Sequence, residues 1–342
     1  MGDRELVPRR VDFWAYGGDS IAQRGYLGRG NLGNTDIAAH INQFTGGKIQ
    51  IDNFGRSHDT TSGILGKHAI RGKKKDSLGR MLEGDYEGII LEIGVNDLGG
   101  AGSRDPQVWA GQLGRMRRNV IEMYMRAYLK GAGTQNREEV LARINRAIAE
   151  NEMELEDVKS QLSLEKNPVK ILSLEDSKEF LEGKKQVLKE IRQSYRVLSR
   201  KRRVPKKAVK RIVFVEVAPW KPESAGGMRA EQKALHTIEY NAMLREVGFQ
   251  LNGLFGRETS FEVAQIYDAL GSQKDGQVLH PEYVGKKLRG RADYLHFGEE
   301  GRRAAAAAIT LQIFPEYAED KLGLRAITTR NKTKGQASLA RR

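Results

Sequence analysis

A serine, an asparagine, an aspartate and a histidine stand in this chain where together they could make a covalent hydrolytic site. Ser20 closes Gly17-Gly18-Asp19-Ser20, just after an apolar run. On a tight strand-to-helix turn its hydroxyl would be exposed at a sheet edge, and its own N–H would face the helix start, where negative charge is stabilised. Asp293-Tyr294-Leu295-His296 separates an acid from an imidazole by two residues. That spacing can set the carboxylate against one ring nitrogen and leave the other outward, which is what a general base needs. Asn96, in Gly94-Val95-Asn96-Asp97 beyond another apolar run, could donate its amide to a developing oxyanion. Each motif has a plainer reading on its own: a helix cap at Asp19-Ser20, a solvated acid and a capping histidine, an Asx turn at Asn96-Asp97. The other five histidines, His40, His58, His68, His236 and His280, lack a carboxylate at this spacing after an apparent strand and loop, except that His58 is followed by Asp59.

Elements that could position these groups follow from the apolar pattern. Short β-branched or aromatic runs bounded by Gly, Pro or Asp predict buried parallel strands over 11–16, 49–54, 88–93, 212–217 and 263–267. Helical periodicity predicts helices over 37–44, 108–128, 229–247 and 299–314. Strand alternating with helix implies an α/β fold, a three-layer α/β/α sandwich on a five-stranded parallel sheet. Reactive groups in such sheets gather beyond the carboxyl ends of the strands.

One stretch breaks the alternation. Leu141, Ile144, Ile148, Asn151, Leu155, Val158 and Leu162 recur at spacings of three and four, a heptad seam. After Asn167-Pro168 a second run continues through Leu181, Leu188, Ile191, Tyr195 and Leu198, with a lysine at the seam position between the first two. The two runs predict an inserted antiparallel helical hairpin over 134–205, coiled-coil-like, standing out from the sheet, with Ser173 and Asp176 capping its second helix. The expected organisation is therefore sheet domain over 1–133, hairpin over 134–205, sheet domain again over 206–316, and a basic disordered tail over 317–342.

Composition narrows the chemistry. The chain has no cysteine, so disulfides, thiolate zinc sites and a thiol nucleophile are excluded, and covalent catalysis must use Ser, Thr, Lys or a carboxylate. No metal-ligand or dinucleotide motif stands out, and the glycine-rich stretch 25–33 has the wrong spacing for a dinucleotide turn; no cofactor or metal is expected. There is no apolar leader at the start and no uncharged run long enough to span a bilayer, which predicts a soluble, cytoplasmic protein without a transmembrane segment. The net charge of +14 favours nonspecific attraction to polyanions. It is concentrated at 71–75, 200–211 and 286–291.

Taken in order, these blocks resemble the SGNH (GDSL-type) hydrolase superfamily. Gly18-Asp19-Ser20 matches its first block, Asn53-Phe54-Gly55 bears on its second, Gly94 to Asp97 matches its third and Asp293 to His296 its last. The resemblance covers about 11–130 and 211–315 and implies a flavodoxin-like sandwich with Ser20 as nucleophile, His296 as general base, Asp293 as its orienting acid and Asn96 as oxyanion donor beside the Ser20 amide. Asn241 resembles a recurrent position ahead of the fifth strand. The second block departs from the pattern: where the family has a glycine whose N–H completes the oxyanion hole, five residues after the asparagine, this chain has His58. Either His58 serves through its backbone or side chain, or a shifted loop brings another amide such as that of Gly55, or activity is reduced. The implied function is a serine esterase or deacylase acting on a small ester, an O-acetylated carbohydrate or a lipid, with an anionic substrate suited to the clusters at 71–75 and 286–291. The alternative is a weak or inactive scaffold that meets a protein partner, or itself, through the hairpin and basic surface.

Overall fold

The computed structural model describes residues 11–19, 36–67, 76–100, 105–131, 136–200, 208–219, 230–271, 283, 297–318, 320, 321 and 323–325. Five parallel strands form its sheet: β1 (Asp12–Gly18), β2 (Ile49–Asn53), β3 (Gly88–Glu92), β4 (Arg211–Val215) and β5 (Ser260–Ala264). They lie in the order β2-β1-β3-β4-β5, with Tyr16 opposite Asn53 and Gly18 opposite Glu92. The reversal of strand order at β1 opens a crevice at the carboxyl ends of β1 and its neighbours. The first, second and third blocks all lie at those ends.

Two apolar clusters cover the two faces of the sheet. On one, Trp14, Tyr16, Ile90 and Val213 pack under α1 (Ile37–Phe44) and α9 (Glu299–Ile313). Five consecutive alanines, Ala304 to Ala308, let α9 lie close. On the other, Ala15, Ile89, Leu91, Ile212 and Phe214 pack with α2 (Ser77–Glu83), α4 (Pro106–Gly131) and α7 (Ala230–Phe255). The inner strands are largely apolar because both faces are covered there, and β3 is buried at all five residues.

The fifth strand lies three residues earlier than the sequence suggests, and Tyr267 instead opens α8 (Tyr267–Leu270). As an edge strand, β5 needs no continuous apolar run. Its Glu262 receives Arg211 of β4 through two hydrogen bonds of 2.7 and 2.6 Å, and the same guanidinium lies 5.2 Å from the Trp14 ring. At least that part of the basic stretch 200–211 therefore holds the sheet together.

The insertion consists of α5 (Arg137–Leu164) and α6 (Pro168–Leu198), packed antiparallel. Their seam buries Ile144, Ile148, Leu155, Leu188 and Ile191, and Asn151 donates its amide to the Leu181 carbonyl at 3.0 Å. Lys184 and Lys185 reach Glu154 and Glu152 across the pair. Two expectations are corrected here. The cap of α6 is Asn167, whose side chain accepts from Val169 N–H at 3.0 Å, and not Ser173 or Asp176. Pro168 at the first helical position fixes the start there, since its missing N–H costs nothing at that site. Nor does the whole hairpin stand clear of the sheet domain. Its base shares a single core with α4 and α7, through Val140, Ile144, Val187, Tyr195 and Leu198, and Glu190 of α6 accepts two hydrogen bonds from Arg117 of α4 at 2.8 and 3.0 Å. Only the distal half projects, where Leu164, Val169, Leu172 and Phe180 are exposed.

At the other end of the chain, Tyr317 and Leu324 fall in the stretch expected to be a tail, yet the Tyr317 hydroxyl donates to Asp12 at 2.7 Å and Leu324 is buried. Residues 326–342 lie outside the described residues. Among the described residues no helix is long and apolar enough to cross a membrane.

Candidate active site

The end of β1 delivers the chain to the first block. Asp19 is fully buried and its N–H donates to the Glu92 carbonyl at 3.3 Å, so the residue before Ser20 is fastened to the end of β3. Ser20, Asp293 and His296 lie outside the described residues, as do the glycine-rich stretch 25–33 and the basic clusters 71–75 and 286–291. Phe297, directly after His296, is buried against α1 and α9, and Gly298 N–H donates to the Tyr283 carbonyl at 2.8 Å.

The second block is a loop knotted to β1. Phe54 N–H donates to the Tyr16 carbonyl at 2.7 Å, Arg56 N–H to the Gly18 carbonyl at 2.8 Å, and Gly55 N–H to the Asn53 side chain at 2.8 Å. The Gly55 amide is thereby consumed in an Asx turn, which removes the backbone donor offered as an alternative to His58. His58 has φ of 64°, the left-handed region, and is the only non-glycine residue there among the described residues. Its imidazole is exposed, and its N–H donates to no group among the described residues. At the position where the resemblance implies glycine, the histidine has thus taken up a glycine-like backbone conformation, at a cost of about 1–2 kcal/mol. His58→Gly is expected to raise stability by about 1 kcal/mol, and His58→Val to lower it by about 2 kcal/mol, because a β-branched side chain tolerates this region worst. Thermal denaturation of the two variants checks both.

The third block meets the second. Gly94, with φ of 125°, turns the chain from β3 into α3 (Val95–Gly100), so Asn96 and Asp97 lie in the first turn of a short helix rather than in an isolated turn. Asn96 Nδ2 donates to the Asp59 carbonyl at 2.8 Å, which uses one of its two amide hydrogens and leaves the other. Asp97 accepts from Thr61 N–H at 2.8 Å and from the Thr61 hydroxyl at 2.9 Å. The residue after His58 and the candidate oxyanion donor are thus held against each other.

Support comes from α7. The Tyr240 hydroxyl donates to the Ile93 carbonyl at 2.8 Å, directly before Gly94. Asn241 does not reach toward the other blocks: its side chain accepts from Val217 N–H at 2.9 Å and donates to the Val217 carbonyl at 3.0 Å, clamping the chain where it leaves β4. Asn241 is a positioning residue for the sheet end.

Two acids gain weight from the structure: Glu92, which the reading of spacings missed, and Asp59, noted there only as the neighbour of His58. Glu92 ends β3 with its side chain buried, and the Tyr16 hydroxyl donates to it. Burial pushes its carboxyl up to about 7, against the opposing effect of the Tyr16 hydrogen bond. Burial also pushes Asp59 up to about 6, partly offset by the hydrogen bond from Thr60 N–H and by Arg56. A lone acid closing the apolar run Ile89-Ile90-Leu91-Glu92 was the available signal for the first. Above the ordinary carboxylate range the unfolded chain releases these protons while the folded chain keeps them, so stability falls as pH rises toward 7. Melting temperature is therefore expected to drop between about pH 5 and about pH 8, and Glu92→Gln to remove on the order of 2 kcal/mol of that loss. Calorimetry at the two pH values checks this.

The sequence matches no known family model and no curated protein. Its structure is similar to that of an aryl esterase of M. smegmatis, with a TM-score of 0.41 and 12% identity over 89% of this chain and 98% of that one. It is likewise similar to a carbohydrate acetylesterase from Sinorhizobium meliloti, with a TM-score of 0.42 and 12% identity over 89% of this chain and 99% of the other. A possible lipase from Chitinophaga pinensis aligns at a TM-score of 0.34 and 13% identity, over 91% and 99% of the two chains.

Proposed function

We propose that the protein is a serine esterase or deacylase acting through an acyl-enzyme on Ser20. The observation that carries this reading is the junction of the second and third blocks. The His58 N–H stands unengaged among the described residues in a left-handed turn, while Asn96, one amide hydrogen to spare, is bonded to the carbonyl of the very next residue. Two donors kept so close and held by surrounding hydrogen bonds are what a preorganised oxyanion hole requires.

In this mechanism Ser20 Oγ attacks the ester carbonyl while His296 takes its proton, and Asp293 orients the imidazole and stabilises its charge. The oxyanion of the tetrahedral intermediate rests on the N–H groups of Ser20 and His58 and on Asn96 Nδ2. Collapse expels the alcohol, which takes the proton from His296 and leaves the acyl group on Ser20. Water, deprotonated by His296, then attacks the acyl carbonyl, and a second collapse returns the proton to Ser20 and frees the acid.

The test is a fluorophosphonate, which traps an activated serine. The expected result is one adduct, on the peptide that contains Ser20. A folded chain that takes no adduct, or takes it on another serine, overturns the assignment.

A further inference from the structure

Between α4, α6 and the segment that follows the second block lies a cleft of about 530 Å³. That is the size of sites that hold small molecules. Lys67, Arg115, Arg118 and Arg126 bring four cationic side chains to it, against two acids, Glu122 and Glu190. Both acids are already engaged. Glu122 is held by Lys67 at 2.6 Å and Arg126 at 2.7 Å, and Glu190 receives the Arg117 guanidinium through two hydrogen bonds.

Two guanidiniums are open to a ligand. Arg118 shares Glu190 with Arg117 through a long ion pair of 3.6 Å and its side chain is 54% exposed, while Arg115 makes no hydrogen bond or ion pair among the described residues. Three positions apart on α4, they are neighbours on one helix face. The floor is polar and fixed. The Asn119 amide donates to Thr61 Oγ1 at 3.0 Å and to Ser62 Oγ at 2.8 Å, so the Ser62 hydroxyl accepts there and keeps its proton for donation. On the opposite wall α6 contributes the apolar side chains of Val197 and Leu198 beside Ser194.

We infer that this cleft binds a phosphate monoester with an apolar body, its phosphate taken by Arg115, Arg118 and the Ser62 hydroxyl and its body lying on Val197 and Leu198. Two separate forks plus a hydroxyl donor match a head group with three terminal oxygens and about two negative charges. The site uses none of the residues of the proposed esterase and stands whether or not Ser20 is a nucleophile.

Calorimetric titration of the full chain with phenyl phosphate tests it. Saturable one-to-one binding is expected, with Kd on the order of 1 mM or below. Arg115→Ala combined with Arg118→Ala is expected to weaken it by about tenfold or more, and Arg303→Ala, at an exposed arginine of α9, to leave it unchanged. Ser194→Glu, which sets a carboxylate on the facing wall, weakens it similarly and keeps the test alive should the double variant melt early. Absence of saturable binding overturns the inference, as does an equal loss in Arg303→Ala, which would mark attraction to the overall positive charge. Inorganic phosphate binding as tightly as phenyl phosphate overturns the role given to the apolar wall.

Discussion

Ser20→Ala is expected to lower kcat for hydrolysis of p-nitrophenyl acetate by on the order of 10⁴-fold or more, with KM little changed and the melting temperature within a few degrees of the parent chain. The size follows from the role: without Oγ there is no acyl-enzyme, and what survives is the stabilisation that the oxyanion donors give to direct attack by water. The fold is spared because what fixes the first block is backbone, the Asp19 N–H on the Glu92 carbonyl and the Arg56 N–H on the Gly18 carbonyl, and neither bond involves the Ser20 side chain. Steady-state kinetics beside a melting curve decides the matter. Turnover unchanged in Ser20→Ala would remove the nucleophile from the mechanism and with it the esterase reading.

Gly94→Ala is expected to destabilise the chain by about 4 kcal/mol and to abolish activity in whatever fraction still folds. Two costs add. The backbone at φ of 125° is one that side chains with a Cβ rarely adopt, and the new Cβ would sit 2.6 Å from the Tyr240 ring and 2.8 Å from its hydroxyl oxygen. Tyr240 has nowhere to go, being fully buried and tied to the Ile93 carbonyl. Any relief must come from moving the start of α3, which carries Asn96. Urea denaturation measures the first effect and ester hydrolysis under native conditions the second. A variant as stable as the parent would mean that the turn can be rebuilt without glycine.

Much of this architecture was legible in residue patterns, for physical reasons that differ from place to place. The inner strands β1, β3 and β4 could be read because both faces of the sheet are covered there, which favours apolar runs such as Ile89-Ile90-Leu91. The edge strand β5 was misplaced because exposure frees its outer positions, so that Ser260 and Glu262 break the run. The helix seam read correctly at Ile144, Ile148, Leu188 and Ile191, all buried. Its docking onto α4 did not, because spacings of three and four reveal that a face is apolar without telling which partner covers it. Asn96 could be singled out as a candidate from its motif, whereas its bond to Asp59 joins residues 37 apart and leaves no local trace. Glu92 and Tyr16, 76 residues apart, are hidden for the same reason. The histidine at position 58 stood out as a departure in type; that it would adopt the backbone of the residue it replaces is a property of the folded loop alone.

The helical pair ends in a three-residue connection, Glu165 to Asn167, where Glu165 accepts from the next two amides at 2.9 Å each. Its last residue in the shared core on α5 is Ile148, and α5 runs on to Leu164. At 1.5 Å per residue that is a rigid spacer of roughly 24 Å. A reporter domain spliced into 165–167, provided its own two ends lie close together, would be carried at a set distance and heading from the crevice instead of tumbling on a tether. The same three residues are thus a mounting point from which the carboxyl ends of the strands could be ranged by energy transfer, without altering any side chain that the sheet depends on.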